Sequence, residues 1–161
     1  ACDLGFDAIG EDMLLTMRVS QWKAQAYTVK LAATPQELEQ WLLPFVEARV
    51  DMLNCSQRRF WEPEFQGSNL NFAGWVKKVA ATPTITVGSV GLTDDVMIFF
   101  DGVIPQHRPL DDLLRRLKNE EFDLVAVGCA LLADKDWVCK IRENRIADLH
   151  NPDPKEIMQW I

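Results

Sequence analysis

Short apolar runs alternate along this chain with longer stretches whose apolar positions recur at helical spacing. The apolar runs are Met13–Val19 (MLLTMRV), Val50–Cys55 (VDMLNC), Pro83–Val87 (PTITV) and the opening of Phe122–Trp137, Leu124-Val125-Ala126-Val127. Strands are therefore predicted to start near residues 13, 50, 83 and 123. A continuous apolar run predicts a strand covered on both faces, as in a parallel sheet flanked by helices. Between the runs, Thr34-Pro35-Gln36-Glu37 reads as a capping box with proline at the first helical position. The helix it opens runs to about Ala48, with Leu38, Trp41, Leu42, Phe45 and Val46 on one face. Asn69 is placed to cap a helix from Leu70 to about Ala80, with Lys77 and Lys78 near its end. Pro109 starts a short helix with Leu110, Leu113, Leu114 and Leu117 on one side. The helix after Gly128 continues through Trp137, Val138 and Ile141, and Asp153-Pro154-Lys155-Glu156 caps a terminal helix ending at Ile161. Ser20–Ala33, holding Trp22 and Tyr27, reads as a loop. Strands alternating with helices predict an α/β fold of parallel (β/α) units.

The N-terminal end breaks this rhythm. Phe6-Asp7-Ala8-Ile9 looks like the start of a buried strand, and the same apolar-Asp-apolar pattern recurs at Val50-Asp51-Met52-Leu53 and Phe122-Asp123-Leu124-Val125. Only Gly10, Glu11 and Asp12 then separate it from the next run. Parallel strands need a crossover of about a dozen residues. The expectation is a single domain over 1–161, a partial barrel, with sequence missing near 9–12.

Composition narrows the partners. A net charge of -7 argues against nucleic acid and anionic membranes, which need clustered Lys and Arg. No apolar run approaches the roughly 18 residues of a membrane span, and no signal peptide is expected. The four cysteines, Cys2, Cys55, Cys129 and Cys139, have no CxxC or zinc spacing. Reduced thiols in a cytoplasmic protein, and no metal, are the expectation.

Candidate chemistry gathers at the C-terminal ends of the strands. Arg18 is the one charge in its run, read either as a ligand contact or as half of a rim ion pair. After the second strand, Ser56–Phe65 (SQRRFWEPEF) is dense in Arg, aromatics and carboxylates. It reads as a substrate-side loop carrying Arg58, Arg59, Phe60 and Trp61, or as a loop closed by pairing Arg58 and Arg59 to Glu62 and Glu64. Val87-Gly88-Ser89 and Gly128-Cys129 are glycine turns on consecutive strands, where backbone amides could meet a phosphate. Each alone could be a plain turn. In a (β/α) barrel these positions share the face that carries active sites, and paired turns on the last two strands match its usual phosphate site. Four or five strands cannot close an eight-stranded barrel, and a half-barrel leaves exposed edges. An N-terminal half or a second copy would have to supply the rest.

Taken together, Arg18–Lys23 (RVSQWK), Cys55–Phe65, Val87–Leu92 (VGSVGL), Leu124–Gly128 and Ala130–Asp134 resemble the old yellow enzyme family, in order and over nearly the whole chain. The resemblance implies the C-terminal part, about strands 4–8, of an FMN-binding TIM-type (β/α)8 barrel. It implies hydride transfer from NADH or NADPH through FMN to an activated alkene or other small-molecule acceptor. It assigns Arg18 to the flavin ring, and Val87, Gly88, Ser89, Gly128 and Cys129 to the cofactor, the two glycine turns holding its phosphate. Two departures follow. The family's histidine-containing substrate motif is absent, the only histidines being His107 and His150, so no catalytic residue is assigned. Cys129 stands where the family carries a phosphate-pairing arginine, a loss of about 1.5–3 kcal/mol. The alternative is a non-catalytic half-barrel remnant that self-associates and binds flavin weakly or not at all. A flavodoxin-like module fits the composition but not the motif set.

Overall fold

A computed structural model describes residues 12–23 and 26–157. The expected strand Phe6–Ile9, the break at Gly10 and the end of the terminal helix lie outside the described residues. In chain order, β1 (Thr16–Val19) leads into a hairpin of β2 (Trp22–Lys23) and β3 (Ala26–Lys30). Then α1 (Pro35–Glu47) precedes β4 (Met52–Ser56), α2 (Phe72–Ala80) precedes β5 (Thr84–Val87), and α3 (Asp111–Lys118) precedes β6 (Leu124–Ala126). Three short helices follow: α4 (Cys129–Ala133), α5 (Trp137–Arg142) and α6 (Pro154–Ile157). The sheet runs β1-β4-β5-β6, every pairing parallel. This is an α/β fold of parallel (β/α) units, an incomplete TIM-type barrel within this chain.

Register sorts the strand residues into two faces. Val19, Cys55, Thr86 and Val125 lie in one row, and the first three are buried against the helices. Leu38 and Leu42 of α1 and Phe72, Ala73 and Val76 of α2 complete that core. Trp41 stacks on Phe72 with centroids 6.4 Å apart, so the aromatic stripe is core as its spacing predicts. The opposite row, Arg18, Asn54, Ile85 and Leu124, faces inward to the barrel axis and is not closed over. Here the expectation that the Leu124–Val127 run is covered on both faces is corrected. Leu124 is 50% exposed, because β6 is an edge with helices on one side only.

The apolar-Asp-apolar repeat has a structural meaning. Asp51, just before β4, accepts from Leu15 N at 2.7 Å, and Asp123, just before β6, accepts from Thr84 N at 2.9 Å. Each carboxylate stitches one strand entrance to its neighbour.

The cap before α1 forms with a shifted return bond: Thr34 Oγ1 accepts from Glu37 N (3.2 Å), while the Glu37 carboxylate reaches one residue past the cap and accepts from Ala33 N (2.7 Å). Other boundaries move. The Ser20–Ala33 loop contains the β2–β3 hairpin. The cap of α2 is Asn71, not Asn69, and Leu70 stays outside the helix. Asn71 wins because it is fully buried and satisfies every arm: Oδ1 accepts from Gly74 N (2.8 Å), and Nδ2 donates to Phe60 O (2.8 Å) and Thr86 Oγ1 (3.0 Å). On α3, Leu114 is 57% exposed, and the inward slot goes to Arg116, which pairs with Asp112 and Glu121. The helix expected from Gly128 through Ile141 is two helices. Asp134 adopts extended backbone and its carboxylate accepts from Asp136 N at 3.1 Å, which ends α4 and restarts the chain as α5.

Candidate functional site

The C-terminal ends of all four parallel strands open onto one cleft of about 690 Å³. From β1 it takes Arg18, Val19 and Ser20; from β4, Ser56, Gln57 and Arg58; from β5, Val87, Gly88, Ser89 and Val90; from β6, Ala126, Gly128 and Cys129. Arg18 is exposed at its floor, and its guanidinium donates to Ser56 Oγ at 2.9 Å. Ser56 is not a carboxylate, so that bond steadies Arg18 without neutralising its charge.

Two turns form the far side. Gly88 has φ +135°, and a Cβ there would lie 2.5 Å from Gln57 O. Phe60 N donates to Gly88 O (3.1 Å) and Ser89 Oγ donates to Arg58 O (2.7 Å). This turn therefore needs its glycine to let the β4–α2 loop approach, a packing reason independent of any ligand. At Gly128 a Cβ would meet nothing within 4 Å, and its carbonyl accepts from Leu131 N and Leu132 N as α4 begins. Cys129 is half-buried, and burial pushes its thiol up, which keeps it protonated and uncharged at neutral pH.

Of the four loop residues expected on the substrate side, only Arg58 lines the cleft. Phe60 is fully buried. Trp61 packs edge-on against Phe60 at 5.2 Å and carries the Arg108 guanidinium on its ring at 3.8 Å. Arg59 pairs with Glu62 (3.1 Å) as the spacing suggests, but its second partner is Asp95 (3.0 Å). Glu64 pairs with neither arginine. It takes Lys30 Nζ at 2.8 Å and also accepts from Gln21 Nε2. Three of the four thus hold the loop rather than meet the cleft.

The hairpin supplies a wall that the sequence reading treats as loop. Trp22 and Lys23 line the cleft. Their anchor is Gln21, fully buried, whose Oε1 accepts from Ala32 N (2.9 Å) while its amide donates to Glu64. Lys30 Nζ sits 4.4 Å from the Trp22 ring centroid and 5.4 Å from that of Phe65. Burial pushes the Glu64 carboxyl above the ordinary range, against the pull of Lys30 and Gln21. Asp94 and Asp95 also reach the cleft, and a pair of aspartates in a loop carries no local sequence signal of it. Among the described residues no cluster of His, Cys, Asp and Glu could hold a metal ion, and no helix is long and apolar enough to cross a membrane.

No protein-family model matches the chain, and no curated protein does. Solved structures do. The structure titled TcOYE with pHBA superimposes with a TM-score of 0.61 at 15% identity, covering 97% of this chain and 35% of its own. Histamine dehydrogenase from Rhizobium sp. 4-9 gives 0.57 at 17% identity, covering 89% of this chain and 19% of the enzyme. Morphinone reductase in complex with tetrahydroNAD gives 0.56 at 14% identity, covering 88% and 31%. At these identities the likeness is one of fold. The chain spans between about a fifth and about a third of the lengths of these proteins.

Proposed function

We propose that this chain is the flavin-binding part of an oxidoreductase barrel of the old yellow enzyme type. One observation carries the reading: a single cleft at the C-terminal ends of the strands gathers Arg18, Val87, Gly88, Ser89, Gly128 and Cys129. Parallel barrels carry their sites on that face, and the volume lies within the range of small-molecule pockets. The shared fold with a reductase and a dehydrogenase supports it. In this reading Arg18 meets the flavin ring, where its charge favours electron density arriving on reduction. Ser56 orients Arg18, and Trp22 with the hairpin shields one side from water. Gly88-Ser89 and Gly128-Cys129 meet the far end of the cofactor. When bound, the flavin would accept hydride from NADH or NADPH and pass it to an activated alkene or another small-molecule acceptor.

The residues present fit such a group, its ring most plainly. A guanidinium at the floor and aromatic and apolar walls suit a flat heteroaromatic. At the Gly128 turn the lining thiol, Cys129, is uncharged, and at the Gly88-Ser89 turn the arginine that lines the same cleft is Arg58, whose carbonyl accepts from Ser89 Oγ. The test is reconstitution with FMN followed by gel filtration and a visible spectrum. The expected result is a yellow protein whose colour bleaches with NADH or NADPH when the remaining barrel strands are present. A protein that leaves the column colourless at saturating flavin would overturn the reading.

A second reading has its own observation. Among the described residues strands β1 and β6 are unpaired edges of the sheet, and Leu124 is half exposed on the inner face. A non-catalytic half-barrel that pairs with its copy and binds flavin weakly or not at all fits those edges. Retention of flavin on gel filtration separates the two readings, because the open edges belong to both.

A further inference from the structure

The sheet register, carried past the strand ends, brings Arg58 to the glycine turns. Ser56 pairs with Val87, and Val87 with Ala126. Continuing that register two residues sets Arg58 opposite Ser89, and Ser89 opposite Gly128. The contacts agree for the first pair. Ser89 Oγ donates to Arg58 O at 2.7 Å, and a Cβ at Gly88 would lie 3.0 Å from both the carbonyl carbon and the oxygen of Arg58. The Gly88-Ser89 turn is thus locked to the main chain of Arg58. All of these residues line one cleft. Two further cations line it, Arg18 and Lys23, and both are rooted elsewhere. Arg18 is on β1, which β4 separates from β5, and it donates to Ser56. Lys23 belongs to the hairpin, in the second sheet. Arg59 is taken up by Glu62 (3.1 Å) and Asp95 (3.0 Å), and Arg108 lies on the Trp61 ring.

We infer that Arg58 is the cation that holds the flavin phosphate, reaching it across the Gly88-Ser89 turn and supplying the charge that Cys129 does not. This rests on the flavin reading above, which sets the ring against Arg18 and the phosphate at the two glycine turns. A phosphate monoester carries a charge of about -1.5 to -2 at neutral pH. A guanidinium stays charged at every working pH and offers a phosphate two parallel N–H donors. Neighbouring strands lie about 4.8 Å apart, so a phosphate between the two turns is within reach of a side chain rooted at Arg58. The Ser89 bond fixes that root beside the turn, so less freedom is lost when the guanidinium meets its ligand. The consequence is selectivity: the cleft takes FMN in preference to riboflavin, and Arg58 sets the difference.

The experiment is a fluorescence-quenching titration of the purified chain with FMN and, separately, with riboflavin at one ionic strength, repeated on Arg58→Ala and Arg58→Gln. The parent is expected to prefer FMN by about tenfold or more. Arg58→Ala is expected to bring the two dissociation constants within about threefold, by weakening FMN and not riboflavin. Its main-chain carbonyl remains, so the bond from Ser89 survives the substitution. Arg58→Gln removes the charge while keeping most of the stem, and it decides in the same way should the shorter variant fail to fold. A parent that binds both flavins within about threefold overturns the inference and leaves the flavin reading standing. So does a variant that keeps the full preference for FMN. A variant that weakens both flavins equally would place Arg58 at the ring and overturn the inference. Binding of neither flavin by the parent overturns both.

Discussion

Gly88 shows how a residue can be legible for one reason and required for another. As a glycine ending a strand it stands out in the sequence, and it does line the cleft. Its absent side chain, however, accommodates the carbonyls of Gln57 and Arg58, which a Cβ would meet at 2.5 and 3.0 Å. Neither contact is visible in a local pattern, because the β4–α2 loop comes 30 residues earlier. Gly88→Ala should cost about 2–4 kcal/mol from backbone strain and overpacking together. Gly67→Ala, with φ +80° but open space around it, should cost only about 1 kcal/mol. Urea unfolding of the two variants makes the comparison. Asp134 supplies a second prediction. Burial alone would raise its pKa, but hydrogen bonds from Lys140 (2.7 Å) and from the N–H groups of His150 and Asp136 outweigh it and lower it. A depressed folded-state pKa stabilises the fold above the unfolded value of 3.8, and that contribution is lost as pH falls through the folded value. Asp134→Asn should therefore lose about 2 kcal/mol at pH 7, a deficit that shrinks towards pH 3. Urea midpoints of parent and variant at both pH values would refute this if the gap stayed constant.

Elements with a strong period or a chemical cap were legible, and those held by distant partners were not. Helix α1 announces itself through Thr34-Pro35 and the Leu38–Leu42 face, and the structure agrees. The hairpin does not, because Ala24-Gln25 carries none of the usual turn residues. What holds it lies far along the chain, in the bonds from Gln21 and Lys30 to Glu64. Helix α2 is capped by Asn71 and not by Asn69, although both are asparagines. The choice is tertiary: only Asn71 also reaches Phe60 O and Thr86 Oγ1. That makes it a joint between the helix start, the loop and the central strand β5. Asn71→Ala should cost about 2–4 kcal/mol, more than an ordinary cap, since it also strands a buried carbonyl and hydroxyl. Asn69→Ala, at an exposed side chain, should change stability by less than about 0.5 kcal/mol. Equal losses at the two positions in thermal unfolding would assign the cap wrongly.

For the molecule as a whole, the question is what closes the sheet. The fold class was legible because strand spacing and crossover length constrain topology strongly. That the barrel is incomplete was also legible, by counting strands. Which face stays open was not, since Leu124-Val125-Ala126-Val127 reads as buried throughout. Among the described residues, four parallel strands end in two unpaired edges, and the inner row leaves Arg18 exposed and Leu124 at 50%. Edges of this kind template pairing with another chain. The isolated 161-residue chain should therefore self-associate through β1 and β6. Leu124→Lys places a charge on the inner face of an edge strand, a device that natural sheets use to block pairing. Because Leu124 is already half exposed, the substitution should leave the helix-side core and the circular dichroism spectrum unchanged. Sedimentation equilibrium should then show the parent as a dimer or larger species and the variant as a monomer. A monomeric parent with a cooperative unfolding transition would show that the open face is stable in water. The sheet would then need no second half, and the cleft would have to bind its ligand with one side permanently exposed to solvent.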